Sequence, residues 1–464
     1  MTNTLPRRKP YQAPAATPVR LAAAATKPPT RVPSEEERID GHLISSLVQE
    51  FGSPLYLLSE PTLRQTARHF LGAFRAHYPR TMLAYSYKTN YLSAVCTIMR
   101  DEGSYAEVVS GFEYDIARDL GVPGPQIIFN GPVKTDEEIK RAAEDGARIN
   151  LDGFAELERV AAYAAREQCE LPVGIRINMK LNYPPWDKFG FNLESGEAFA
   201  ACRRLARDPW LRLRGLHIHA GTFITDLSIY ERAITNLIDL GLRAEAELGA
   251  EIETIDMGGG YASTNTLHTQ LMRGETTSPV FEEYAEVIAG ALARRASQFR
   301  SPPFLFLEPG RTVVDSCMSL VGTVVSTKTF ASGMKGAILD TGVNALITAF
   351  WYQHDISLIS AEERPIEECN ILGGLCMNID ILRLKARLPA LRIGDIVRIR
   401  NAGAYNISQS MQFIFPRPPV ILLRDGERHI IRRRETGSDI RALERLPAHL
   451  NTDETARSVL FHDR

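Results

Sequence analysis

The fold is decided by a series of short apolar runs that begins at residues 83–88 with LAYSYK. Seven similar runs follow, starting at Tyr105 (YAEVVS), Gln126 (QIIFNG), Arg148 (RINLDG), Val173 (VGIRIN), Leu213 (LRGLHIHAG), Thr254 (TIDMGGG) and Phe304 (FLFLEPGR). Helical apolar spacing in the intervening segments gives each gap room for a crossover helix. Eight such units predict a TIM-type (β/α)8 barrel. An open doubly wound sheet is the alternative, disfavoured because no GxGxxG follows the first strand.

The pattern changes after about residue 315, where short β-rich runs and turns replace the long helical segments. These runs predict a C-terminal, mainly antiparallel β domain. We place the barrel at residues 57–315 and the β domain at residues 34–56 and 316–450. Residues 1–33 contain seven prolines and no acidic residue, which predicts a disordered tail, and residues 451–464 form a second tail.

Composition excludes several classes of protein. The formal net charge of −2 gives no support to nucleic-acid binding. No uninterrupted apolar stretch reaches the length of a membrane-spanning helix. The six cysteines form no CxxC pair and are too sparse for a disulfide scaffold, so we expect reduced thiols in the cytoplasm.

In a barrel of this kind, reactive residues lie at the carboxyl ends of the strands. Lys88, Glu107 and Arg176 are selected by that rule, as are His217, His219, Gly258–Gly260, Glu308 and Arg311. The three glycines let a backbone approach a ligand closely, and a phosphate is the usual guest at strands seven and eight. In isolation, the glycines would indicate only a tight turn.

Two of these residues indicate carbonyl chemistry. Lys88 ends an apolar strand, where desolvation is expected to lower its pKa and favour a Schiff base, although a surface lysine is the simpler alternative. Glu308 precedes Pro309–Gly310 and could pair with a pyridinium nitrogen or form a structural salt bridge. Zinc binding by His217 and His219 is the rival, but no third ligand stands out, so no metal is predicted. A lysine, a phosphate cradle and an acid together fit pyridoxal 5′-phosphate.

Seven motifs in order give the chain a specific resemblance. They are YSYKTN (85–90), KFG (188–190), HIHAGT (217–222), GGG (258–260), EPGR (308–311), GGLC (373–376) and AGAY (402–405). Over residues 40–435, the chain is similar to the fold-type III pyridoxal-phosphate decarboxylases, the group of diaminopimelate and eukaryotic-type ornithine decarboxylases. The resemblance implies an alanine racemase-like barrel and a decarboxylase-like C-terminal domain.

The resemblance also implies residue roles. Lys88 would form the Schiff base, His219 would stack on the ring, and Glu308 would contact the ring nitrogen. The remaining cofactor contacts would come from Glu107, Arg176, Thr222, Gly259, Gly260, Gly310, Arg311 and Tyr405. Cys376 would act as the proton donor and would come from a second subunit, since the family implies a head-to-tail homodimer with shared active sites.

We expect the substrate to be bound by Arg311, Asn344, Thr348, Tyr352, Met377 and Tyr405. Two of these residues, Thr348 and Met377, depart from the family. Met377 follows the cysteine where diaminopimelate decarboxylases have a glutamate that binds the distal amine. Thr348 stands where they have an arginine that grips the distal carboxylate. Burying an unpaired ammonium beside a methionine is costly.

We therefore predict a decarboxylase whose substrate is not free meso-diaminopimelate but a conjugated, carrier-bound or neutral-tailed amino acid. The alternatives are a diaminopimelate decarboxylase of lysine biosynthesis with an altered loop, an alanine racemase-type enzyme, and a non-catalytic regulator. The intact cofactor residues disfavour the regulator, and the GGLC cysteine together with EPGR disfavours the racemase.

Overall fold

A closed parallel barrel forms the larger part of the protein in this computed structural model, which describes residues 31–32, 38–181, 183–184, 186–360 and 362–450. Its eight strands are Thr81–Ser86, Tyr105–Val108, Ile127–Phe129, Arg148–Leu151, Leu171–Asn178, Leu211–Ile218, Thr254–Asp256 and Phe304–Leu307. The ring closes where Phe304–Leu307 pairs with Thr81–Ser86, and the short strand Phe191–Asn192 pairs in parallel with the end of the fifth strand. The predicted (β/α)8 barrel is confirmed.

Helices surround the barrel strands. They are Glu60–His77, Ser93–Asp101, Gly111–Asp119, Asp136–Glu144, Phe154–Glu167, Glu197–Ala206, Leu227–Leu248 and Phe281–Arg295, with short helices at Gly274–Thr277 and Arg311–Val314. The first of them precedes the first barrel strand and packs against Phe281–Arg295. Ser59 caps it by accepting the Thr62 N–H, and Leu63, Phe70 and Phe74 are buried at helical spacing.

The β domain is built around a second, ten-stranded sheet in the described residues. Its strands are Arg31–Val32, Leu55–Ser59, Met318–Thr329, Lys335–Leu339, Ile356–Ile359, Arg364–Leu372, Ile381–Pro389, Ile396–Ile399, Val420–Arg424 and Glu427–Arg432. Most pairings are antiparallel, as predicted, but Leu55–Ser59 runs parallel to Val420–Arg424 and Lys335–Leu339 runs parallel to Arg364–Leu372. A hairpin (Arg38–Ile39 and His42–Leu43) and helices Ile44–Phe51 and Gly437–Arg441 complete the domain.

Two predicted boundaries differ from the structure. The strand Leu55–Ser59 pairs with Met318–Thr329, so residues 57–59 belong to the β sheet and not to the barrel. Arg31–Val32, placed in the tail, pair with Arg364 and Pro365. The rest of the predicted tails, residues 1–30, 33 and 451–464, lies outside the described residues. Within the described part of the chain, no helix combines the length and apolar character needed to cross a bilayer.

Candidate active site

The carboxyl ends of the barrel strands open into a cavity of about 310 Å³. Every residue that the sequence assigned to the cofactor lines this cavity: Lys88, Glu107, Arg176, His219, Thr222, Gly259, Gly260, Glu308, Gly310, Arg311 and Tyr405. Most of them converge because parallel barrel strands all deliver their last residues to one face. Tyr405 is brought in from the β domain. The structure places these side chains together, while their individual roles stay predictions.

Lys88 lies in the short turn Tyr87–Thr89 that ends the first barrel strand. Its Nζ donates to Ser86 Oγ at 3.0 Å and to the Glu107 carboxylate. Desolvation alone would lower the pKa of Lys88, but the charges of Glu107 and Glu308 outweigh it and raise the pKa above its usual value. The predicted lowering of this pKa is therefore wrong, because the sequence could not show how close the carboxylates lie.

Glu308 directly follows the last barrel strand, and 2% of its surface is exposed. Its carboxylate accepts a hydrogen bond from Asn130 Nδ2 at 2.6 Å and lies 3.5 Å from His217 Nε2. Burial alone would raise the pKa of Glu308, but His217 and Lys88 lower it overall. The pKa of neighbouring Asp256 is raised, first by burial and then by the charge of Glu308. Glu308 is thus the ionised member of the pair, as contact with a protonated ring nitrogen requires.

His217, Asp256 and Glu308 also offer ligand atoms within 4.8 Å of one another. Asp256 therefore supplies the third group that the sequence pattern had not revealed. Asn130 is already bonded to Glu308, and the raised pKa of Asp256 favours its protonated form. A protonated acid is a poor metal ligand. The cluster is better suited to supporting the Glu308 carboxylate.

His219 faces the cavity in its neutral form. Its Nδ1 accepts the Gly259 N–H at 3.1 Å, and the Trp186 ring centroid lies 5.1 Å from its own. Burial, followed by the charges of Arg176 and Lys88, lowers the pKa of His219 well below its usual value. A neutral imidazole fixed in this way suits stacking against an aromatic ring.

The glycine run has no room for side chains. Gly258 and Gly260 have φ angles of 61° and 94°, and a Cβ on Gly260 would lie 2.4 Å from the Gly221 carbonyl oxygen. Nearby, Arg311 Nη2 donates to Thr222 Oγ1 at 3.3 Å, while its Nη1 is buried without a partner. A backbone cradle beside an unpartnered guanidinium N–H fits a phosphate group. The residues present therefore fit pyridoxal 5′-phosphate.

The β domain delivers Tyr405 to this phosphate end. Its N–H donates to the Thr89 carbonyl at 2.7 Å, although its φ of 65° is unusual for a residue with a side chain. Asp315 holds the same loop by accepting the Ala404 N–H at 3.0 Å. Gly403 is required because a Cβ there would lie 1.7 Å from the Val314 carbonyl oxygen.

Five residues predicted for catalysis or substrate binding do not line this cavity. Cys376 is exposed and Met377 is partly buried, both on the β domain. Asn344 is buried with its Oδ1 unpartnered, and the Tyr352 ring lies 5.2 Å from the Arg311 guanidinium. Thr348 is fully buried, and its Oγ1 lies 2.8 Å from His354 Nε2. Within one chain, Thr348 therefore has no surface to offer a substrate.

Sequence reasoning missed Ser86, Asn130 and Asp256. Ser86 donates to Glu107 and accepts from Lys88, and Asn130 contacts both Glu107 and Glu308. Ser86 and Asn130 stand at or directly after the end of a barrel strand. The strand-end rule could therefore have selected them, although neither residue type signals chemistry without its partners.

The chemistry of the cavity defines the class: a barrel enzyme that carries pyridoxal 5′-phosphate. A family model described as the pyridoxal binding domain of pyridoxal-dependent decarboxylases matches residues 64–315. The diaminopimelate decarboxylase of Methanothermobacter thermautotrophicus is 30% identical, covering 90% of this chain and 99% of that protein. The one from Actinosynnema pretiosum is also 30% identical, over 89% and 93% of the two chains.

A solved diaminopimelate decarboxylase from M. jannaschii superimposes with a TM-score of 0.82 at 29% identity, covering 91% of this chain and 99% of that one. The chain belongs to the family of pyridoxal-dependent amino-acid decarboxylases. The predictions of the cofactor and of the enzyme class are confirmed.

Proposed function

We propose that the protein removes one carboxyl group of diaminopimelate and forms lysine. The observation that carries this proposal is the match over nine-tenths of the chain to diaminopimelate decarboxylases, with a complete cofactor pocket. The similarity thus favours the alternative that the sequence left open over a conjugated substrate.

This proposal assigns a role to the main residues of the cavity and to Cys376. Pyridoxal 5′-phosphate, when bound, supplies an electron sink for the loss of carbon dioxide. Lys88 holds the carbonyl end, Arg311 and the glycine cradle hold the phosphate, and Glu308 keeps the ring nitrogen protonated. His219 limits movement of the ring from one face. Cys376 returns a proton to the substrate carbon through its thiol.

The proposed proton-donor role of Cys376 would require a second copy of the chain. Its side chain is exposed and does not line the cavity of its own barrel. A head-to-tail pair in which each β domain completes the partner's cavity meets this requirement. Mixing Lys88→Ala protein with Cys376→Ala protein tests it, since only a mixed pair contains one intact site. Recovery of up to about a quarter of wild-type activity supports shared sites, and no recovery after subunit exchange contradicts them.

A specific observation favours a second candidate, an amino acid with a neutral or conjugated tail. The loop at residues 373–380 retains one acid, Asp380, and this acid already accepts the N–H groups of Val343 and Leu375 at 2.8 and 2.7 Å. Asp380 is buried, so it is a structural carboxylate. Met377 offers no replacement charge for a distal ammonium.

Carbon dioxide release from a substrate panel distinguishes the two candidates. The cofactor-loaded protein is assayed with meso-diaminopimelate, lysine, ornithine, arginine and N-acylated diamino acids. Release from meso-diaminopimelate with formation of lysine supports the main proposal. Release only from acylated substrates supports the second candidate. No release from any of them by protein with bound cofactor overturns the main proposal and, for the second candidate, excludes the acylated diamino acids.

A further inference from the structure

Two buried carboxylates of the cofactor site share one hydrogen-bond donor. Asn130 Nδ2 lies 3.1 Å from Glu107 Oε1 and 2.6 Å from Glu308 Oε1. These glutamates have 1% and 2% of their surface exposed. An amide nitrogen carries two hydrogens, so Asn130 can donate to both acids at once.

The orientation of the Asn130 amide is fixed from its other side. Its Oδ1 accepts from Asn150 Nδ2 at 2.8 Å. A flipped amide would turn its oxygen toward two carboxylates and its nitrogen toward another donor. Gly174 leaves room for Asn150, because a Cβ on Gly174 would lie 1.9 Å from Asn150 Oδ1. The network therefore specifies a single arrangement.

We propose that Asn130 is a positioning residue that links the group acting on the carbonyl end of the cofactor with the group acting on its ring nitrogen. Through Glu107 it acts on Lys88, which binds the carbonyl end, and through Glu308 it acts on the ring nitrogen. A neutral amide suits this place, because a lysine or arginine would neutralise the carboxylates and compete with Lys88 and the ring nitrogen for them. An apolar residue would take one hydrogen bond from each of the two buried carboxylates. The inference depends on the cofactor site and not on the identity of the substrate.

The test compares Asn130→Ala and Asn130→Asp with wild type, using full-length protein stripped of cofactor and reloaded. Affinity is measured for pyridoxal 5′-phosphate and for its analogue with a ring CH in place of the nitrogen. Loss of one charge-assisted hydrogen bond predicts about tenfold weaker binding of pyridoxal 5′-phosphate. The analogue cannot pair with Glu308, so its affinity should fall much less. An equal loss for both ligands, or no loss, overturns the proposal.

A second readout concerns Lys88. The charged and titratable groups that interact with it are Glu107, Glu308, Glu113 and Tyr405, with His219 nearby. Asn130→Ala removes the hydrogen bond that Glu107 Oε1 accepts from Asn130, so the charge of Glu107 should act more strongly on Lys88, stabilise its ammonium form and move the pH midpoint of covalent cofactor capture upward. An unchanged midpoint contradicts coupling through Glu107. Asn236→Ala, on a surrounding helix, makes the same truncation away from the cavity and serves as the control. If Asn130→Ala does not fold, Asn130→Asp and the analogue comparison decide, since a protonated aspartic acid keeps one donor in place of two.

Discussion

Arg311 provides the sharpest test of how the cavity holds a phosphate. Its guanidinium is nearly buried and packs 4.9 Å from the Tyr405 ring, 5.2 Å from Tyr352 and 5.7 Å from Phe223. Nη2 is used by Thr222, and Nη1 has no partner. Arg311→Met preserves much of the apolar packing and removes the donor. The variant should lose about 2 kcal/mol of phosphate binding, which weakens cofactor affinity about 30-fold.

The loss can be measured as thermodynamic linkage. Cofactor at about 100 times its Kd stabilises the wild-type protein by about 2.7 kcal/mol. A 30-fold weaker Kd reduces that stabilisation to about 0.9 kcal/mol at the same concentration. Chemical unfolding with and without pyridoxal 5′-phosphate reports both values. Arg243→Met is the matched control, since Arg243 also packs on an aromatic ring, Phe199 at 3.7 Å, but lies outside the cavity. If pyridoxal 5′-phosphate stabilises Arg311→Met as much as it stabilises the wild type, Arg311 does not bind the phosphate and the assignment is refuted.

Three further outcomes follow from the structure. Lys88→Ala should abolish the visible absorbance of covalently held cofactor and carbon dioxide release; retained absorbance would exclude Lys88. Gly260→Ala should weaken cofactor binding about tenfold or more in a fluorescence titration, because a Cβ would meet the Gly221 carbonyl oxygen; unchanged affinity would show that the cradle can relax. Burial lowers the pKa of His354 from 6.5 to about 4, so its contribution to stability is present above pH 6.5 and is lost as the pH falls through 4. Between pH 6.5 and pH 4, the free energy of unfolding measured in urea should fall by on the order of 3 kcal/mol less in His354→Gln than in the wild type. An equally large fall in the variant would contradict this reasoning.

The sequence predicts the barrel well because its local signals agree with its global arrangement. Apolar strand runs and helical segments alternate, and parallel strands demand those crossovers. The same regularity explains why residues at the strand ends, such as Lys88, His219 and Glu308, line one cavity, as the sequence predicts. The strand Leu55–Ser59 was divided between domains because its partners, Met318–Thr329 and Val420–Arg424, are more than 250 residues away. No local pattern reveals such a pairing.

Electrostatics was the least predictable part of the site. Sequence shows that Lys88 ends an apolar strand, which suggests desolvation and a lowered pKa. It does not show that Glu107 lies on the adjacent strand at hydrogen-bond distance, and this contact reverses the direction. Asn130 was missed for the same reason, since its importance comes from the two acids it contacts.

The substrate question depends on which of the two departures faces the substrate. Thr348 is enclosed by His354 and Asn406, so its hydroxyl is committed to internal hydrogen bonds. The absence of an arginine at position 348 is therefore weaker evidence against diaminopimelate than the sequence alone suggested, because the proposed reaction would need other residues to bind the distal carboxylate. Met377 remains evidence against binding of a distal ammonium by this loop, since it adjoins the exposed Cys376. Asp380 does not replace it, because its carboxylate already accepts backbone N–H groups. In the proposed reaction, the distal ammonium is therefore bound by groups outside the loop at residues 373–380.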